Sequence, residues 1–188
     1  MERLNTGTVM AGVGQTLWWP FYDKITLDAA TLVHTLFAVP AGQDNKTIAD
    51  TNMTGSGGEM PQGQKHEAVA LEMYYVSDGA KTAAELQNVL DMFTTTYREF
   101  TILNKSPQLQ IPLTLLMGSK LTQHVTGGAA GDQLIGQSIF PGVFELEIPI
   151  ILAEKTSFDV KITHTTAHKA SLDGDQIYVA LPGKLITN

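Results

Sequence analysis

FELEIPIILA (Phe144–Ala153), SFDVKITHT (Ser157–Thr165) and QIYVALPGKLIT (Gln176–Thr187) decide how this chain is read. Phe144, Leu146, Ile148, Ile150 and Leu152 fall on alternate positions. So do Phe158, Val160 and Ile162, and again Ile177, Val179 and Leu181. Asp159, Lys161 and Thr163 take the intervening positions. Side chains alternate across an extended chain, so this spacing predicts strands with one buried face. Successive strands split by turn residues predict an antiparallel β-sandwich or barrel. Phe144, Leu146, Ile148, Phe158, Val160, Ile162, Ile177 and Val179 are expected inside it.

Working outward, four segments extend the pattern. TLVHTLFAVP (Thr31–Pro40) reads as a strand closed by Pro40-Ala41-Gly42. HEAVALEMYYV (His66–Val76) puts Val69, Leu71, Met73 and Tyr75 on one face. EFTILNK (Glu99–Lys105) is a further strand. In LQIPLTLLMG (Leu109–Gly118), Leu109, Ile111, Leu113, Leu115 and Met117 share a face. Pro112 has no N–H to donate, which suggests an edge position or a bulge. One helix interrupts the strands. Thr82 and Glu85 make a T-x-x-E capping box. Leu86, Val89, Leu90 and Phe93 then form a single narrow stripe, so the helix should run to about Thr95 and lie on a sheet surface. Two stretches of about 25 residues, one after Pro40 and one from Gly118 to Gly142, read as long loops. Such loops usually carry function or disorder.

The reading is therefore all-β, with an arm over residues 1–30 and a sandwich domain over 31–188. The arm is rich in Gly and Thr and carries an aromatic cluster, Trp18, Trp19, Phe21 and Tyr22, around Pro20. These four are a candidate interface, because tryptophan and tyrosine dominate contact hot spots. The competing reading is a plug on the chain's own core.

Composition narrows the function classes. The 188 residues carry a net charge of -7, and only 16% are charged. Phosphate contacts need clustered Lys and Arg, and the 12 basic residues are scattered. Neither nucleic acid nor an anionic membrane is an expected partner. A low charged share fits a surface that faces other protein, or simply a polar surface rich in Thr, Gln and Gly. No cysteine is present, which excludes disulfides and thiolate chemistry. The N-terminus lacks the apolar core of a secretory signal, and no apolar run is long enough for a membrane-crossing helix.

Motifs for chemistry are absent or broken. His164 and His168 are spaced H-x-x-x-H, but one ends a strand and the other sits in a turn, so the helical metal-binding geometry is lost. The cupin-type H-x-H does not occur. GQSIF (Gly136–Phe140) lacks the second glycine of a nucleophile elbow. No glycine-rich loop ends in G-K-[ST]. LDGDQ (Leu172–Gln176) is a tight turn rather than a calcium loop. Glu67, Glu72, Glu145 and Glu147 fall on the faces opposite the apolar ones and read as solvated. The expectation is no catalysis, no cofactor and no metal.

The number of strands, the inserted helix, the long loops and the arm together resemble viral single jelly-roll proteins. LFAVPAGQDNKTIADTNMTGSGGEMPQGQ (Leu36–Gln64) and the ending from Phe144 look like segments of bacteriophage virion proteins. The resemblance covers about Thr31 to the C-terminus. It implies a jelly-roll capsid shell or capsid-decorating (cement) protein, located in the virion. The partners implied are copies of itself and other capsid proteins. It carries over no catalytic residue. The arm's only bases are Arg3 and Lys24, which departs from shell proteins with basic genome-facing arms. The alternative is a carbohydrate-binding adhesin or lectin module using exposed aromatics such as Tyr74, Trp18 and Trp19.

Overall fold

The structure, a computed structural model, describes residues 14–54, 57–79, 81–102, 109–116, 121–126, 133–138 and 142–187. Thirteen strands and one helix are built from them: β1 (Gln15–Trp18), β2 (Phe21–Thr26), β3 (Val33–Leu36), β4 (Gln64–Val76), β5 (Lys81–Thr82), α1 (Ala83–Thr94), β6 (Thr96–Ile102), β7 (Leu109–Pro112), β8 (Leu121–Thr126), β9 (Gln133–Ser138), β10 (Gly142–Leu152), β11 (Phe158–His164), β12 (Gln176–Leu181) and β13 (Gly183–Thr187). The fold is an all-β antiparallel sandwich. The larger sheet runs β1-β13-β4-β12-β2, with β10 also on β4. The facing sheet runs β3-β11-β6-β7. A small third sheet, β5-β9-β8, lies beside them.

The long central strand β4 organises the larger sheet. β12 and β13 lie end to end along one side of it, and β10 lies along the other. Between β12 and β13 the chain kinks at Pro182, whose carbonyl accepts from Val69 N–H at 2.9 Å. Gly183 is required there: a Cβ at that position would stand 2.1 Å from the Glu67 carbonyl oxygen. A side chain would force the two strands apart.

The expected core residues from two of the three opening segments are inside. Phe158, Val160 and Ile162 of β11 are buried, and so are Ile177, Val179 and Leu181 of β12. They meet Leu71, Met73, Phe37 and Phe100 in one apolar cluster. Phe158 packs against the rings of Phe37 and Phe100, at centroid distances of 5.5 and 6.2 Å.

The third segment departs from expectation. Phe144, Leu146 and Ile150 pack on the core and Leu152 is buried, but Ile148 is 81% exposed. Glu145 pairs with Ala70 and Ile150 with Ala68, so β10 advances five residues while β4 advances two. The chain between them bulges off the ladder. Pro149 lies in that span and has no N–H to keep it paired.

Two further expectations are corrected. The chain turns into a 3-10 helix at Leu113–Leu116, just after β7, so Leu113 is buried while Leu115 is 59% exposed. Met117 lies outside the described residues. The stretch from Gly118 to Gly142, read as loop, contains the antiparallel pair β8 and β9. Pro112 does sit on an edge strand, since β7 pairs only with β6 among the described residues.

The helix begins as expected. Thr82 accepts from Glu85 N–H, and the Glu85 carboxylate accepts from Thr82 N–H at 2.7 Å. Leu86, Val89, Met92 and Phe93 are buried beneath it.

Residues 1–13 of the segment read as an arm lie outside the described residues. The rest of that segment is part of the sandwich. β2 pairs with β12 along its whole length, and β1 pairs with β13.

Candidate functional site

The four aromatics of the candidate interface divide into two pairs. Phe21 is core: it is 5% exposed and meets the His66 ring edge-on at 4.7 Å. Tyr22 is a tether. Its hydroxyl donates to the Ile48 carbonyl at 2.6 Å and its N–H to Asn52 Oδ1 at 2.9 Å. Trp18 and Trp19 stay on the surface, 58% and 43% exposed. Trp18 lies opposite Lys184 on the outer side of the larger sheet. Trp19 borders a small cavity of about 120 Å³ with Phe21, Met53, Pro61 and Leu185. Leu17, 47% exposed, pairs with Leu185 of β13. The core-plug reading holds for Phe21, and Trp18 and Trp19 remain on the surface.

The loop after Pro40 is fastened to β2 by polar contacts. Lys24 Nζ is 2.6 Å from Asp50 Oδ1, and Lys46 Nζ is 2.5 Å from Asp23 Oδ1. The Lys24 ammonium and the Thr47 N–H hold the Asp50 carboxyl down at about 2. Burial raises Asp23, against the lowering effect of Lys46 and the Phe37 N–H. Phe37 closes β3 in the left-handed region, at φ 66, which aims its N–H at the buried Asp23 carboxylate. Between the loop, β2 and β3 lies an open, polar cleft of about 540 Å³. Lys24, Lys46, Asp44, Asp50 and His34 line it.

On the outer side of the larger sheet, Tyr178 faces Tyr74 across β12 and β4. Lys24 Nζ sits 5.5 Å from the Tyr178 ring centroid. Tyr74 is 38% exposed, and its hydroxyl donates to Glu72 Oε2 at 3.1 Å. Val143 and Ile151 of β10 pair with Glu72 and Glu67, and both are about half exposed. The glutamates read as solvated therefore sit among apolar neighbours on that face.

Two buried polar groups were not foreseen as units. The first centres on Asp175, fully buried in the turn before β12. Its carboxylate takes Lys81 Nζ at 2.8 Å, Asp78 N–H at 2.9 Å and the Tyr75 hydroxyl. Burial disfavours the Lys81 charge, but bonds to Asp175 and Asp78 outweigh it and leave the ammonium above its ordinary value. Burial, reinforced by Asp175, pushes the Tyr75 phenol far up. The turn expected at LDGDQ is present, with Gly174 at φ 92. What the motif alone could not indicate is the lysine that Asp175 meets, 94 residues away.

The second is a group of three imidazoles. The His34 and His164 rings meet edge-on at 5.4 Å, and His164 and His168 lie 5.2 Å apart. All three side chains are more than nine-tenths buried. The H-x-x-x-H pair is thus brought together without a helix, and β3 adds a third member. No group of three or more metal-ligating side chains arranged to hold a metal ion occurs among the described residues. Burial also leaves Arg98 short of partners. Its Nε and Nη2 make no hydrogen bond, and the guanidinium falls to about 9.

No helix among the described residues is long and apolar enough to cross a membrane. Comparison with protein-family models, with curated proteins and with solved structures finds no match for this chain.

Proposed function

We propose that this chain is a structural subunit of a viral particle, a capsid or capsid-decorating protein that assembles with copies of itself. The observation that carries the reading is the strand order. Counting β2, β3, β4, β6, β7, β10, β11 and β12 as one to eight, the larger sheet is ordered 1-8-3-6 and the facing sheet 2-7-4-5. That interleaving is the pattern of a jelly roll, an architecture used by viral shells and by lectins. The exposed Trp18–Trp19 rim favours the assembling kind. Two adjacent tryptophans at a sheet margin are costly to leave in water and suit burial against a neighbouring copy. The low charged share of the sequence supports the same reading. No catalysis, no cofactor and no direct nucleic-acid or membrane contact are part of it.

Light scattering and negative-stain microscopy of the purified protein test the proposal. The expected result is a closed oligomer or shell fragment, and a Trp18→Ser, Trp19→Ser variant that folds but associates at least about tenfold more weakly. A chain that stays monomeric at millimolar concentration and binds no capsid overturns it. The Tyr178–Tyr74 pair on the outer sheet face favours a second reading, sugar binding by stacking. Glycan binding lost in Tyr74→Ala would move that reading ahead.

A further inference from the structure

We propose that His34, His164 and His168 form an acid-sensitive latch that holds one end of the sandwich shut at neutral pH and releases it on acidification. The three residues come from three separate segments. His34 lies on β3, an edge strand of the facing sheet among the described residues. His164 is the last residue of β11. His168 sits in the connection that leads to the 3-10 turn Ala170–Leu172. Their rings stack into one contiguous buried group, so the same contact ties an edge strand, a central strand and a loop together.

The surroundings of His34 and His164 suit neutral imidazoles and do not suit imidazolium ions. His34 Nε2, His164 Nε2 and both ring nitrogens of His168 have no hydrogen-bond partner. His164 Nδ1 alone is well placed, 2.8 Å from the Thr96 hydroxyl on β6. Two carboxylates approach the group. Asp173 Oδ1 is 3.4 Å from His168 Nε2, but its residue is exposed and it also accepts from Ala29 N–H. Asp28 faces His34 from the β2–β3 connection, with its own Oδ1 taken by Ala30 N–H. On the cleft side His34 looks toward Lys24, Lys46, Asp44 and Asp50. The two lysines there are matched by Asp50 and Asp23. None of these groups is buried beside the rings as a counter-ion for even two positive charges. Protonating His34 or His164 therefore buries a charge with no buried carboxylate beside it, and charging both adds repulsion at about 5 Å.

The direction of the response follows. Burial, then the neighbouring histidines, hold His164 down to about 4, and burial likewise lowers His34. In the unfolded chain a histidine titrates near its ordinary value of about 6.5. A group depressed in the closed form stabilises that form fully above its open-state value and loses the contribution as pH falls toward the closed-state value. The window for His164 thus runs from about 6.5 down to about 4. His164 alone should raise the opening equilibrium on the order of 50- to 100-fold by pH 4.5. The parts released first are β3 and the 164–173 connection, because these carry the rings. β4 and β12, paired on both sides, stay closed.

Amide hydrogen exchange on the full chain, corrected for intrinsic rates, combined with NMR titration of the histidine Hε1 signals, tests this between pH 7.5 and 4.5. The expected result is selective loss of protection at 33–36 and 164–173, in step with the His164 transition, while β4 and β12 keep theirs. A His34→Phe variant keeps an aromatic ring beside His164 but removes one titrating imidazole, so its pH response should be smaller than that of the wild type, and an unchanged response overturns the proposal. If that variant fails to fold, the wild-type titration decides alone. The proposal is overturned if His164 titrates near 6.5 with protection intact. It is equally overturned if the protection loss is uniform over both sheets, or if added zinc binds one-to-one and shifts all three imidazoles, since the cluster would then be a metal site. Each of these readouts is made on the isolated chain and stands apart from whether it assembles.

Discussion

Asp175 and His168 lie seven residues apart in sequence, in the same connection between β11 and β12, yet they belong to opposite kinds of buried polar cluster. Around Asp175 the charges are matched. The carboxylate receives Lys81, the Tyr75 hydroxyl and the Asp78 N–H, and Lys81 also donates to the Ser171 carbonyl at 2.9 Å. Around His168 four ring nitrogens go without partners. A buried charge is tolerable when partners replace its lost water, whereas a buried neutral imidazole is tolerable only while it stays neutral. One cluster is therefore a fixed clamp, and the other is conditional on pH.

The largest expected effect comes from breaking the clamp. Asp175→Ala leaves the buried Lys81 ammonium with the exposed Asp78 as its remaining carboxylate and the Ser171 carbonyl as its other partner, and should cost about 3–5 kcal/mol in urea denaturation. Replacing both partners, Asp175→Leu with Lys81→Met, should recover most of that loss, because the pair rather than either residue is the stable unit. A single variant as stable as wild type would mean that water already reaches the site. Phe158→Ala gives an apolar yardstick of similar size, about 3–5 kcal/mol, since it empties the space between Phe37 and Phe100.

Acid separates the clusters without mutation. Thermal midpoints should fall between pH 6.5 and about 4 as the depressed histidines His34, His164 and His66 take up protons. A second and smaller loss should follow between about 3.8 and about 2, when Asp50 is protonated and the loop tied through Lys24 comes away from β2. Exchange protection confined to residues 46–53 would report that second step. A single smooth acid transition would erase the distinction between the two windows. The smallest effect is at the helix start, far from either cluster. Glu85→Ala removes half of the capping box and should lower stability only slightly, as read by chemical denaturation.

The apolar alternation of β11 and β12 was readable because both strands are paired on two sides along most of their length, so period two survives unbroken. The same reading failed on β10 at Ile148, where the partner strand does not keep step. The capping box was legible because it is local. The β8–β9 pair was not, since LTQHVT and QLIGQS carry few apolar residues to set a face. Of the candidate site, only the aromatic cluster and the H-x-x-x-H pair could be seen. Nothing local told Phe21 from Trp18, because what separates them is which side of a sheet each faces. The third histidine and the lysine opposite Asp175 arrive from distant strands, and one sequence without that pairing holds no sign of them.

The departure of β10 from its partner has a consequence for how copies of this chain can meet. An unbroken outer strand offers a row of free N–H and C=O groups onto which another chain can add, and such addition has no natural stopping point. Here that row is interrupted midway. Four residues leave the ladder, one of them is a proline, and the exposed Glu145 beside the break and Glu147 within it add negative charge. Growth by backbone pairing is blocked on this margin of the larger sheet. Any assembly that uses it must be read through side-chain shape, and contacts of that kind can close into a finite object instead of running on as a fibre.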